Sequence, residues 1–198
     1  MATIEEIAAR LQGLSPQGLE EVRSFVELVR RKEAGALDPA TDSGATSAAW
    51  SFDFLANFRD ATLAASRDPA GMEIQVAEAT CGGVTCRALW EHPPASGSAN
   101  VGFLVPVPPG LRNIKLKFAI GIRDGAELPK DRAVAFRVLV NSWKLWSTVK
   151  NAHAWEEHAL EMPQISSDVA RIEFVTDGMG DSRWNWAVWG EPRLEGEE

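Results

Sequence analysis

AVAFRVLVN, residues 133–141, alternates: Phe136, Val138 and Val140 fall on one side of an extended chain, Arg137 and Leu139 on the other. Successive side chains of a strand point to opposite faces, so a period of two marks a strand with one buried face. ARIEFVTD, residues 170–177, repeats the rhythm, with Ile172 and Phe174 set against Arg171, Glu173 and Val175. Outward from these two stretches, strand-length segments recur near 50–55, 73–80, 84–90, 101–107, 112–122, 143–150, 155–162 and 184–194, most of them bounded by Gly, Pro, Asn or Asp. The region around 56–66 reads instead as a helical turn or loop. No long amphipathic helix intervenes to build βαβ units. The expected fold is therefore mainly β: an antiparallel β-sandwich or jelly roll over residues 49–198.

Upstream, the period changes. Thr3 and Glu6 form a capping box, after which Ile4, Ile7, Leu11 and Leu14 recur at helical spacing. Ser15 and Pro16 open a second helix with Leu19, Val22, Phe25, Val26 and Val29 as its apolar stripe. Residues 1–33 are thus expected to form a two-helix hairpin. A hairpin of this size cannot cover both stripes by itself. Either the sandwich covers them or a second copy does, and the expectation is a homo-oligomer joined through residues 3–33. Residues 34–48, AGALDPATDSGATSA, are small and polar and read as a linker.

The bulk numbers narrow the function. The 198 residues carry a net charge of −8, which repels phosphate backbones, so no nucleic-acid partner is expected. No run approaches the roughly 20 apolar residues that span a bilayer, and the charged start is unlike a secretory signal. A cytoplasmic location without membrane contact is expected. Cys81 and Cys86, the two cysteines, read as reduced thiols in a strand pair, with a cross-hairpin disulfide as the alternative.

Eight tryptophans accompany no tyrosine, and six of them lie between Trp143 and Trp189. The apolar C–H face of a pyranose stacks on a flat aromatic face while neighbouring polar groups bond its hydroxyls. Trp143 and Trp146 flank a turn and Trp184 lies in a loop, so these three are the candidate ligand platforms. Arg137, Asn185 and His92 are candidate polar contacts. Trp186 and Trp189, inside a strand, are expected to be structural. HAWEEH, residues 153–158, spaces its histidines five apart, which separates them on a helix and on a strand alike, so no zinc site is expected. No nucleophile motif, phosphate loop or dinucleotide fingerprint occurs, and neither catalytic residues nor a cofactor are expected. The Asp177–Asp181 loop is expected to be a plain turn, with Ca²⁺ as the alternative.

The series WEHPP (90–94), FLVPVP (103–108), FAIGIRDGA (118–126), AFRVLVNSWKLW (135–146) and WNWAVWGEPRL (184–194) resembles the galactose-binding-like β-sandwiches. Most similar are the carbohydrate-binding modules appended to glycoside hydrolases, the NPCBM group. Asn185 stands where that group often has an acidic residue, and Asn141-Ser142 replaces its usual turn. The resemblance implies a non-catalytic protein that binds a carbohydrate-like ligand, the alternative being a scaffolding protein whose sandwich meets a protein partner. The leader, through Leu11, Leu14, Pro16, Val22, Phe25, Val26 and Leu28, separately resembles short bacterial helical hairpins, some of which accompany antitoxin-like proteins. That implies association and no chemistry.

Overall fold

The computed structural model describes residues 49–130, 132–162, 168–180 and 183–197, with 11–13, 19, 22 and 26 in addition. By compactness the chain divides into Met1–Asp38 and Pro39–Glu198. The linker expected over 34–48 lies outside the described residues, as does the hairpin expected over 1–33 apart from the few positions just named.

In the second unit, eleven strands among the described residues form two antiparallel sheets. One sheet has the spatial order β3 (Ile74–Cys81), β4 (Val84–Glu91), β11 (Ala187–Glu197), β6 (Arg112–Ile122) and β9 (Glu156–Glu161). In this sheet β1 (Ala49–Asp53) pairs with the far half of β11, from Arg193 to Glu197. The other sheet runs β2 (Thr62–Ala65), β5 (Ser98–Pro106), β10 (Val169–Asp177), β7 (Val134–Val140) and β8 (Trp143–Lys150). Among consecutive strands only β3–β4 and β7–β8 stay within one sheet; every other connection crosses to the opposite layer, so the two layers are stitched together repeatedly. Each strand-length segment read from the sequence carries a strand. The 56–66 region differs from its expectation in part: a 3-10 turn at Phe58–Asp60 is followed by β2, whose four residues are too few to declare a period.

The alternation of residues 133–141 and 170–177 becomes a register. Ile172 faces Val140, Phe174 faces Val138 and Thr176 faces Phe136 across β10 and β7. The apolar side chains among these meet Leu116, Phe118, Ile120 and Ile122 of β6 and Ala187, Trp189 and Leu194 of β11 in one buried core. Trp189 is its hub: the ring lies 5.0 Å from Phe174, 5.1 Å from Phe136 and 5.4 Å from Phe118, each in edge-to-face geometry. The expected structural role of Trp189 is what the packing shows.

The outer face of the six-stranded sheet has an unusual shape. β4 follows β11 for only three positions, Ala88, Leu89 and Trp90. Beyond them the β3–β4 hairpin peels away. In a flat sheet Cys81 would sit three strand spacings, roughly 14 Å, from β6. Instead its Sγ is so near Gly121 that a Cβ built there would lie 2.6 Å from it. The hairpin therefore curls back over the sheet. Its tip is latched by Asp124, whose two carboxylate oxygens accept from the Gly82 and Gly83 amides at 2.8 Å each. Asp124 N donates in turn to Thr80 O at 2.8 Å. Ala79, Cys81, Ala88 and Val188 form a small second apolar cluster under the curl, sealed by Trp90 and Trp155. Both cysteines are free thiols: Cys81 pairs with Val84 and Cys86 with Ala79, so they stand diagonally rather than opposite.

Candidate functional site

At one end of the six-stranded sheet the close of β4, the close of β6 and the start of β11 lie side by side, with Val188 opposite both Trp90 and Gly121. Residues at and just beyond these strand ends form a laminate. The Arg123 guanidinium carbon is 3.5 Å from the Trp90 ring centroid and 4.9 Å from that of Trp186. A cation between two indole faces is attracted by both ring quadrupoles. The His92 ring is nearly parallel to both indoles, 6.4 Å from Trp90 and 6.5 Å from Trp186. Trp184 continues the series, 5.7 Å from Trp186, with 38% of its surface exposed.

The electrostatics of this end follow from its burial. The imidazole Nδ1 of His92 lies 3.3 Å from Glu73 Oε2. Desolvation, helped by the Arg123 charge, nevertheless draws the His92 pKa down to about 4 against the pull of Glu73. At neutral pH the contact is thus one between a neutral ring and a carboxylate, not an ion pair. Burial also lowers the Arg123 guanidinium, with Glu73 opposing, yet a group starting at 12.5 stays cationic. Trp90 Nε1, His92 Nε2 and Arg123 Nε are buried without a hydrogen-bond partner among the described residues. Beside His92 opens a cavity of about 200 Å³ bounded by Arg67, Glu73, Pro93 and Pro94. Arg67 is tied down by a 2.6 Å hydrogen bond to Gly71 O, and Glu73 is 58% exposed.

Trp184 is held out by its loop. Its φ of +65° is a left-handed conformation that a bulky aromatic residue rarely adopts. The neighbours enforce it. Trp186 N donates to Trp184 O at 2.9 Å and Ala187 N to Asn185 O at 2.8 Å. Asn185 itself is buried and donates from Nδ2 to Gly178 O at 3.4 Å. The Gly178 turn is braced from behind: Asp177 Oδ1 accepts from Met179 N at 2.8 Å, while its Oδ2 accepts from both Arg137 Nη atoms at 3.2 Å.

Four of the six residues singled out from sequence therefore belong to one connected end: Trp184 at the surface, His92 largely buried beside the cavity, Asn185 and Arg137 as braces beneath. Trp143 and Trp146 lie elsewhere, on β8. A bulge there sets Val138 opposite Trp146 and Leu139 opposite Lys144, while Val140 stands opposite Trp143. Trp146 turns into the core, 5.1 Å from Phe118 and 4.6 Å from His158, whereas Trp143 stands 82% exposed. Sequence reading passed over Trp90, Arg123, Glu73 and Arg67. Arg123 carried a signal, its place in Gly121-Ile-Arg-Asp-Gly125 at the mouth of a strand. Glu73 and Arg67 carried none, because only the fold brings them to His92. Asp177 binds its own loop, and among the described residues no cluster of His, Cys, Asp and Glu is placed to hold a metal ion.

No protein-family model matches the chain, and no curated protein sequence matches it. Among solved structures it is similar to CBM51 from Clostridium perfringens GH95 in complex with methyl-galactose, at 9% identity and a TM-score of 0.46 over 73% of this chain and 99% of that one. It is likewise similar to Caldicellulosiruptor saccharolyticus CBM27-1 in complex with mannohexaose, at 13% identity and a TM-score of 0.47 over 75% of this chain and 97% of that one. A third, the CBM51-2 and INT domains of Clostridium perfringens ZmpB, gives 13% identity and a TM-score of 0.42, with 69% of this chain covering 28% of that one. Likeness at this level is one of overall outline and carries no ligand with it.

Proposed function

We propose that the protein is a non-catalytic binding protein that takes a carbohydrate-like ligand at the Trp184 end of the sandwich. The observation that carries this reading is the exposed Trp184 indole, fixed in a strained backbone and backed by the Trp186–Arg123–Trp90 laminate, whose His92 lines a cavity edged by Glu73 and Arg67. The C–H face of a sugar ring stacks on the indole. Its hydroxyls, which both donate and accept, bond the Glu73 carboxylate and the Arg67 guanidinium. His92, being neutral, serves as wall and hydrogen-bonding partner rather than as a charge. The helices expected over residues 3–33 join copies of the chain and raise a weak single-site affinity through effective concentration. A cytoplasmic location belongs to the same proposal.

A glycan panel titrated against the full chain, read by the indole N–H resonances, tests it. A dose-dependent shift of the Trp184 signal, lost in Glu73→Gln, supports the reading; a Trp184 signal that no glycan moves overturns it. Sedimentation of the full chain beside a chain lacking residues 1–33 tests the association, which is wrong if both run as the same species.

One feature favours a second reading, a protein partner. β8 lies at the edge of its sheet with Trp143 82% and Val149 55% exposed, and such an edge accepts an added strand. Loss of partner capture in Trp143→Lys, with no glycan response anywhere, would select it.

A further inference from the structure

Between the curled β3–β4 hairpin and the outer face of the six-stranded sheet lies a cleft of about 670 Å³ that shares no lining residue with the Trp184 end. Its floor is nearly free of side chains at Gly190 and Ala119. Trp155 forms one wall and is held from two directions. Its Nε1 donates to Val84 O on the hairpin at 2.9 Å. Its ring edge rests on the sheet, where a Cβ at either Gly121 or Gly190 would come within 3.0 Å of it. Glycine inside a strand marks a close approach, and here two strands carry one under the same indole.

A second sign lies opposite. Between Gly190 and Arg193 the β11 ladder shifts register against β6, leaving one residue more on β11 than on β6. Glu191 sits in that bulge with φ +41°, a left-handed conformation normally given to glycine at such places. The bulge sets Glu191 on the cleft, which Lys117, Arg193 and Glu157 also line. Lys117 and Arg193 are both fastened to Glu195, the latter by a 2.6 Å hydrogen bond from Nε.

We infer that this cleft is a second ligand site, taking a neutral oligosaccharide with Trp155 as its stacking wall and Glu191, Lys117 and Arg193 as partners for hydroxyl groups. The charges name the class. Two cations and two carboxylates line the cleft, so a polyanion meets repulsion and a polycation does too, whereas a neutral polyhydroxylated ring uses both signs. An extended peptide finds less here, because the floor is a sheet face whose backbone groups are already paired between β11 and β6. With two sites on one sandwich, a single chain would hold one long glycan at two points, or two glycans together. The inference shares its ligand class with the proposed function but does not need the Trp184 end to bind.

The test uses the full chain, labelled so that each indole N–H gives its own signal, with neutral manno-, galacto- and gluco-oligosaccharides as probes. The Trp155 signal is expected to shift with at least one series while Glu191→Gly lowers that affinity roughly tenfold, equivalent to losing one good hydrogen-bonded contact, and leaves the Trp184 response untouched. Because glycine accepts φ +41° freely, that variant should melt no lower than the parent. A Trp155 signal unmoved by every oligosaccharide at millimolar concentration overturns the inference, whatever Trp184 does. So does a Trp155 shift that Glu191→Gly and Lys117→Ala both leave at full strength. A shift produced by unstructured peptides and by no sugar overturns the ligand class. Failure at Trp184 alone sinks only the proposed function.

Discussion

The indole Nε1 of Trp189 donates a 2.6 Å hydrogen bond to Glu91 Oε2 in the middle of the core, where the carboxyl is fully buried. The other oxygen, Oε1, is buried with no partner among the described residues. Desolvation pushes the Glu91 carboxyl well above its ordinary 4.5, and the indole N–H offsets only part of that shift. Burial of this kind favours the neutral acid over the carboxylate.

Its pH dependence has a definite sign. Below the unfolded value of about 4.5, both folded and unfolded chains carry the proton and Glu91 adds no slope. Above it, only the folded chain keeps the proton, so stability falls with pH, by up to about 1.4 kcal/mol per unit until the folded value is reached. Glu91→Gln removes the titration while preserving an acceptor for Trp189. Urea unfolding is expected to find the variant close to the parent at pH 4 and increasingly the more stable of the two as pH rises. A difference that stays flat between pH 4 and pH 8 would show Glu91 to be ionised in the folded chain.

The tryptophans divide by what they touch. Trp189→Ala is expected to cost about 3–5 kcal/mol, the loss typical of a buried aromatic residue. Trp143→Ala, at an 82% exposed position, should stay within about 0.5 kcal/mol of the parent. Trp146→Ala should lie near Trp189→Ala, because the ring packs on Phe118 and His158. Chemical denaturation of the three variants measures the order directly, and a Trp146→Ala as mild as Trp143→Ala would mean that ring is not part of the core.

Gly121 is required for room rather than for backbone freedom. A Cβ there would meet Cys81 Sγ at 2.6 Å and Trp155 at 3.0 Å, with the curled hairpin above. Gly121→Ala is expected to destabilise by about 1–3 kcal/mol through overpacking and to speed amide exchange at the hairpin tip. Unchanged exchange at Gly82 and Gly83 would place the hairpin farther from the sheet.

The latch at that tip titrates in the opposite sense to Glu91. The Gly83 and Gly82 amides hold the Asp124 carboxyl below its ordinary 3.8. A depressed acid contributes above its unfolded value and is lost as pH falls through the folded one. The tip should therefore stay protected at neutral pH and open only in acid below about 3.8. Asp124→Ala should expose the Gly82 and Gly83 amides to exchange already at pH 7. Equal protection in both proteins would remove Asp124 from the latch.

Cys81 illustrates the chemistry of the curl. Burial, reinforced by Asp124, pushes its thiol up to about 12. Since the thiolate is the nucleophile, alkylation of Cys81 at pH 8 should be slow in the native chain and rapid in denaturant, as mass spectrometry can follow. Fast native labelling would mean that the hairpin lifts from the sheet.

What the amino-acid sequence determined by itself was the two-layer β architecture, because a buried face leaves its mark every second residue in strands such as 133–140 and 169–177. It also marked the loop bearing Trp184, since a break between strand-length segments exposes the side chains it carries. The four-residue β2 escaped it, being too short to show a period. Which tryptophan faces solvent was decided by tertiary structure alone: Trp143 and Trp146 look alike in sequence, yet Trp143 stands exposed at the start of β8 while Trp146 packs on Phe118 and His158. The joining of Glu73, His92 and Arg123, the curl of the β3–β4 hairpin over Gly121, and the bulge that sets Glu191 on the cleft all depend on contacts between distant segments. Local pattern does not encode such contacts, because they exist only once both sheets have closed around Trp189.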